Sequence, residues 1–198
     1  ILIEDGLLTN SQFEELLAEY QASNEIDDLN VANEQNDMVE KLIHKFFHFD
    51  NSDMSGKIVA YLNLLFNDIV RFIGKDFTPL NPLMKSEYMT NYCVTQKDEG
   101  LLSFNSGIDM SKSVAIAFAS RYAKEEFHEF DEYVKASIED FLNLHNGLFN
   151  VNMSNEFSLE LNLCPPEVHE EETLTNATKI YVFPIIFPFG TIHFLMEI

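Results

Sequence analysis

The chain of 198 residues carries 33 Asp and Glu against 12 Lys and Arg, a formal net charge of −21, and 46% of its residues are apolar, with 18 Phe among them. That length suits one good domain plus an appendage, or two small domains, and the apolar content supplies a core. The charge repels phosphate backbones and anionic lipid surfaces, so nucleic-acid binding is disfavoured, and no run of about 18 apolar residues predicts a membrane span.

The first segment, residues 1–56, is acid-rich and predicts helices: Phe13, Leu16, Leu17 and Tyr20 share one helical face, as do Val39, Leu42, Ile43 and Phe46. Thr9 with Gln12 reads as a capping box. The polar, acidic stretch SNEIDDLNVANEQND between the two faces predicts a linker or loop. FDNSDMSG, residues 49–56, then marks a boundary, leaving an acidic helical extension, or a fragment of an upstream domain, over 1–56 and a second unit over 57–198.

In the second unit, Ile58, Tyr61, Leu62, Leu65, Ile69 and Phe72 form one stripe of a helix that ends near Gly74. Short alternating segments at Tyr88–Val94 and Leu101–Asn105 predict half-buried strands. A helix follows from Ser111 to Ala123, capped by Asp109 or Ser111, and a second covers Asp131–Gly147. Strands are predicted again at Phe157–Leu163, Lys179–Phe183 and Thr191–Ile198. Helices and strands thus fall in runs without regular alternation, which argues for an α+β fold, a mostly antiparallel sheet packed with two or three long helices.

The segment DEYVKASIEDFLNLHNG, residues 131–147, carries the most chemistry. On a helix Asp140 and Asn143 lie three residues apart on one face, while Val134, Ile138, Phe141 and His145 point to the core. A carboxylate beside a carboxamide can position a water molecule, because the amide both donates and accepts. Other chemistries have no support: GxSxG, GxxxxGK and GxGxxG are all missing. His44 and His48 share an i, i+4 spacing but lack a third ligand beyond Asp50 and Asp53, and His128 reads as a surface residue. Cys93 and Cys164 show no CxxC spacing and read as buried free thiols. The opening ILIEDGLL lacks the basic flank of a signal peptide, so a cytoplasmic setting is expected and the two sequons at Asn152 and Asn176 are discounted.

Several short motifs now fall in order: Glu99-Gly100-Leu101-Leu102-Ser103-Phe104, Met110-Ser111, Asp131-Glu132, Asp140-Phe141-Leu142-Asn143, Gly147 and Pro165-Pro166-Glu167-Val168. Together they resemble the CheX and CheC type of chemotaxis phosphatase over about residues 57–198. The resemblance implies a protein-aspartyl-phosphate phosphatase acting on a phosphorylated, CheY-like receiver domain. Asn143 would orient the attacking water and Asp140 would contact the receiver's active site. It further implies no cofactor bound by this chain, since the receiver brings its own Mg²⁺, and homodimerisation through sheet edges. One departure stands out: the family's E-x-x-N pair here has Asp140 in place of Glu, shortening the reach by about 1.3 Å. A misplacement of about 1 Å can cost on the order of a hundredfold in rate, so a catalytically impaired binding or dimerisation module in a signalling protein is the alternative. The family can carry a second acid-amide pair on its first helix. Here that helix offers Asn63 and Asn67 without an acid three residues before either, so at most one active centre is expected, with Asn67 and Asp68 on an ordinary polar face.

Overall fold

The computed structural model describes residues 53–101 and 103–197. The helices expected before residue 50, with His44 and His48, lie outside the described residues. Helix α1 runs from Asp53 to Asp68 and continues as a π-helical turn over Ile69–Ile73. It therefore begins inside the stretch read as a boundary, whose last four residues are helical. Gly74 ends it with φ of +139°, a conformation that L side chains rarely adopt, while its N–H returns to the Ile69 carbonyl at 2.9 Å.

Four strands follow, β1 (Thr78–Pro79), β2 (Leu83–Met89), β3 (Tyr92–Gly100) and β4 (Phe104–Met110), then α2 (Lys112–Ala123) and α3 (Glu132–Phe157). The chain closes with β5 (Leu161–Leu163), β6 (Glu167–Glu170), β7 (Thr173–Phe187) and β8 (Gly190–Glu197). All eight strands join one sheet in the order β1-β7-β8-β4-β3-β5, with β2 also on β7 and β6 also on β3, and every pairing is antiparallel. The fold is α+β, as the segregation of elements predicted. Among the described residues no helix is long and apolar enough to cross a membrane.

Several element boundaries differ from those expected, each where a specific backbone contact intervenes. The strand expected at Tyr88–Val94 breaks at Thr90-Asn91, where the Thr90 N–H goes to the Glu172 carbonyl and the Asn91 N–H to Asp109 Oδ1. Phe157, expected to open a strand, instead closes α3, because Ser158 turns left-handed and the Ser158 and Leu159 N–H groups cap the last carbonyls of that helix. β4 starts only at Phe104, leaving Leu101 in an exposed bend. β7 passes through Pro184, which sits between the residues paired with β1 and those paired with β2, so its missing N–H costs no ladder bond there.

The strand register sets the two faces. Val94 and Gln96 of β3 oppose Ile108 and Ser106 of β4, which oppose Phe194 and Met196 of β8, and this face lies beneath the helices. Tyr61 of α1 is fully buried at its centre, its ring edge-on to Phe104 and Phe149 at 5.3 and 4.8 Å. Residues of the opposite alternation, Cys93 and Leu195, join Tyr88, Ile180 and Val182 in a second, smaller apolar cluster on the outer face. Both cysteines are free, but only Cys93 is buried; Cys164 is half-buried, since it follows a three-residue edge strand.

Candidate active site

Helix α3 is the platform. Asp131 caps it, accepting from the Tyr133 and Val134 N–H groups at 3.1 Å each, and Glu132 adds negative charge to the first turn. Val134, Ile138, Phe141, Leu142, His145, Asn146, Phe149 and Met153 are buried along one stripe. Phe141 meets Phe118 and Tyr122 of α2 edge-on at 5.1 and 5.8 Å, which fixes the turn that follows it. Asp140 and Asn143 project from the opposite side of that turn, and both are exposed.

Neither side chain is loose. The Tyr122 hydroxyl donates to Asp140 Oδ2 at 2.6 Å. Burial first, then the hydrogen bond to Asp140 and its charge, push the Tyr122 phenol well above its ordinary value, so it stays a donor. Gln96 Nε2 donates to Asn143 Oδ1 at 2.9 Å from the sheet below. Beside the pair lies an open concavity of about 760 Å³, lined by Tyr122, Phe127, Tyr133 and Pro166 and by Glu125, Ser137, Glu139, Asp140 and Asn143. None of its lining residues is basic. Such a surface suits a partner that brings a cationic group. Among the described residues no cluster of three or more His, Cys, Asp or Glu could hold a metal ion.

Asp68 departs from its expected place, whereas His145 does not. His145 is buried as predicted, but Asp68, placed on a polar face by its sequence context, is only 4% exposed, its Oδ2 lying 2.8 Å from His145 Nδ1 in a buried hydrogen bond. The cause is the turn of α1 that carries it, which packs against α3. Burial lowers the His145 imidazole from its ordinary value, with Asp68 offsetting part of that shift.

Gln96 and Tyr122 are the site residues that sequence reading missed. Tyr122 lies in the last turn of an apolar-rich helix, and its hydroxyl gives no separate signal there. Gln96 had one: continuing the Tyr92–Val94 alternation places Gln96 and Asp98 on the core face, where a polar residue demands a partner. The glycine of the Glu99-Gly100 motif also finds its reason here. Gly100 has φ of +148°, and a Cβ would sit 2.8 Å from the Glu160 carbonyl oxygen at the junction of β3 and β5.

No protein-family model matches the sequence, and no curated protein matches it. Solved structures do. The CheX chemotaxis protein of Desulfovibrio desulfuricans is 14% identical, with a TM-score of 0.60 over 71% of this chain and 97% of that one. A CheC-like superfamily protein from Shewanella sp. PV-4 is 16% identical, with a TM-score of 0.61 over 71% and 96%. CheX of Borrelia burgdorferi, solved in a CheX-CheY-BeF3-Mg²⁺ complex, is 18% identical, with a TM-score of 0.59 over 71% and 96%. With one antiparallel sheet and three helices among the described residues, this chain has the CheX/CheC-type fold.

Proposed function

We propose that the protein is a CheX-like phosphatase that hydrolyses the aspartyl phosphate of a CheY-like receiver domain. The observation that carries this reading is the joint exposure of Asp140 and Asn143 on one turn of a capped and packed helix, beside a concavity without basic residues. The CheX-CheY complex of the Borrelia relative supports a receiver as partner.

The chemistry asked of the chain is positioning. Phosphoryl transfer needs an in-line nucleophile and neutralised charge on the phosphoryl oxygens, and the receiver's Mg²⁺ would supply most of the latter. Asn143 would hold the attacking water, and the Asp140 carboxylate would pair with a cation beside the phosphoaspartate. Tyr122 occupies Asp140 Oδ2, which leaves Oδ1 for that cation. Both groups sit on a rigid element, so little of their freedom would have to be lost at reaction. The test is phosphate release from a phosphorylated receiver of the same cell. Wild type should accelerate it and Asn143→Ala should not; no acceleration by wild type, or equal acceleration by the variant, would sink the reading.

A second reading has its own support. Asp140 is one methylene shorter than the family's Glu and is drawn back toward α2 by the 2.6 Å bond from Tyr122. That favours a module that binds the receiver without turning it over. Binding of a beryllofluoride-treated receiver with no phosphate release, and gain of release in Asp140→Glu, would mark this outcome. With either reading goes a cytoplasmic setting and a homodimer. The dimer is supported by exposed Leu83, Met84 and Met89 on β2, which pairs with β7 alone. Light scattering should give twice the chain mass; a monomer at all concentrations would refute the dimer.

A further inference from the structure

Asn143 is exposed, yet one end of its amide is anchored in the interior. Gln96, 1% exposed on the helix-facing side of β3, uses both hydrogens of Nε2: one on Asn143 Oδ1 at 2.9 Å, one on the Cys164 carbonyl at 2.9 Å. Its Oε1 accepts from Asn146 Nδ2 at 3.0 Å. The direction of this chain is not arbitrary. A main-chain carbonyl can only accept, so Cys164 forces the nitrogen of Gln96 toward itself and toward Asn143, and the oxygen toward Asn146. Asn146 must then present its nitrogen to Gln96, leaving its Oδ1 to accept from the Tyr61 hydroxyl. Cys164 is held by its own N–H to the Lys97 carbonyl at 2.9 Å, and Pro165 and Pro166 stiffen the chain that follows.

We propose that Gln96 is a positioning residue that sets which end of Asn143 meets the partner, holding Oδ1 toward the sheet and Nδ2 outward. This rests on the phosphatase reading for its role in turnover, though not for the geometry. With one lone pair of Oδ1 taken by Gln96, the other remains for a proton of the attacking water, and the outward N–H is free to meet a phosphoryl oxygen. An amide free to flip would present the wrong end half of the time and would have to be ordered in each encounter.

Two variants test it on the full chain. Gln96→Glu keeps the shape and the acceptor for Asn146 but removes both donors; Gln96→Met removes the polar ends altogether. In steady-state phosphate release, kcat should fall about tenfold to a hundredfold with KM unmoved, as expected of an interaction that matters only in the transition state. Lowering the pH should restore part of the rate in Gln96→Glu alone, because its protonated carboxyl regains a donor. Independently of turnover, ¹⁵N relaxation of the Asn143 side-chain NH₂ should give a backbone-like order parameter of about 0.85 in wild type, falling below about 0.6 in Gln96→Met. If wild type releases no phosphate, the phosphatase reading fails and the relaxation measurement alone decides the role of Gln96. A mobile Asn143 amide in wild type overturns the proposal without any variant. Equal amide order in wild type and Gln96→Met, or unchanged kcat in a folded Gln96→Glu, also overturns it.

Discussion

Asp98 sits two residues beyond Gln96 on the same face of β3, with no solvent exposure, and its carboxyl is pushed up from 3.8 to about 6 by burial, the hydrogen bond from Asn150 at 2.6 Å partly offsetting that. Its Oδ2 and Asn150 Oδ1 are buried with no hydrogen-bond partner among the described residues. The folded protein thus binds this proton more tightly than the unfolded chain, and protonation favours folding. The stabilisation is full below about 3.8 and is lost as the pH rises through about 6. At 1.36 kcal/mol per pH unit, a rise of about two units makes the ionised carboxylate worth roughly 3 kcal/mol of lost stability at pH 7.5, against roughly 1 kcal/mol at pH 4.5. Asp98→Asn removes the charge, so its stability relative to wild type should improve by about 2 kcal/mol between pH 4.5 and 7.5. The comparison must be between the two proteins, because His145 slopes the other way: its lowered value gives stability present above about 6.5 and lost as the pH falls. Urea unfolding at the two pH values measures the difference directly, and the His145 contribution cancels. A difference that does not change with pH, or one that moves against the variant at pH 7.5, would refute the account of Asp98.

Three further outcomes follow from the seating of α3. Phe141→Ala deletes a fully buried ring wedged against Phe118 and Tyr122 and should cost about 3–5 kcal/mol in urea unfolding; a loss below about 1 kcal/mol would show that the ring does not anchor the site. Gly147→Ala adds a Cβ that meets no atom within 4 Å, so the isolated protein should gain about 0.5–1 kcal/mol in the same assay, and a loss would contradict the open surface there. Tyr122→Phe keeps the ring contacts but frees Asp140, and should lower stability by only about 1 kcal/mol; a larger loss would mean the hydroxyl holds more than that carboxylate.

How much of this was legible in the sequence depends on the range of the interaction involved. The stripes of α1 and α3 and the cap at Ser111 were readable because their causes lie within one or two helical turns: Tyr61, Leu62, Leu65 and Ile69 are buried as spaced, and Ser111 accepts from the Val114 N–H. The pairing of Asp140 with Asn143 on one exposed face was readable for the same reason. Strand limits were not, because β2 ends and β3 begins where the distant Glu172 carbonyl and Asp109 carboxylate claim the Thr90 and Asn91 N–H groups. The polar interior was hidden likewise. Asp68 meets His145 across 77 residues and Gln96 meets Asn143 across 47, and no local period announces either contact.

Both functional readings require that the face carrying Asp140 and Asn143 engage the charged form of a receiver. The most direct measurement is a titration of a CheY-like receiver, with and without beryllofluoride and Mg²⁺, into wild type and into Asn143→Arg, a substitution at an exposed helical position that should fold. Wild type should bind the beryllofluoride form more tightly, and the variant should lose about tenfold or more of that affinity, the range in which removal of a central interface residue falls. Equal binding of that form by both proteins, or no preference for it by wild type, would contradict both readings.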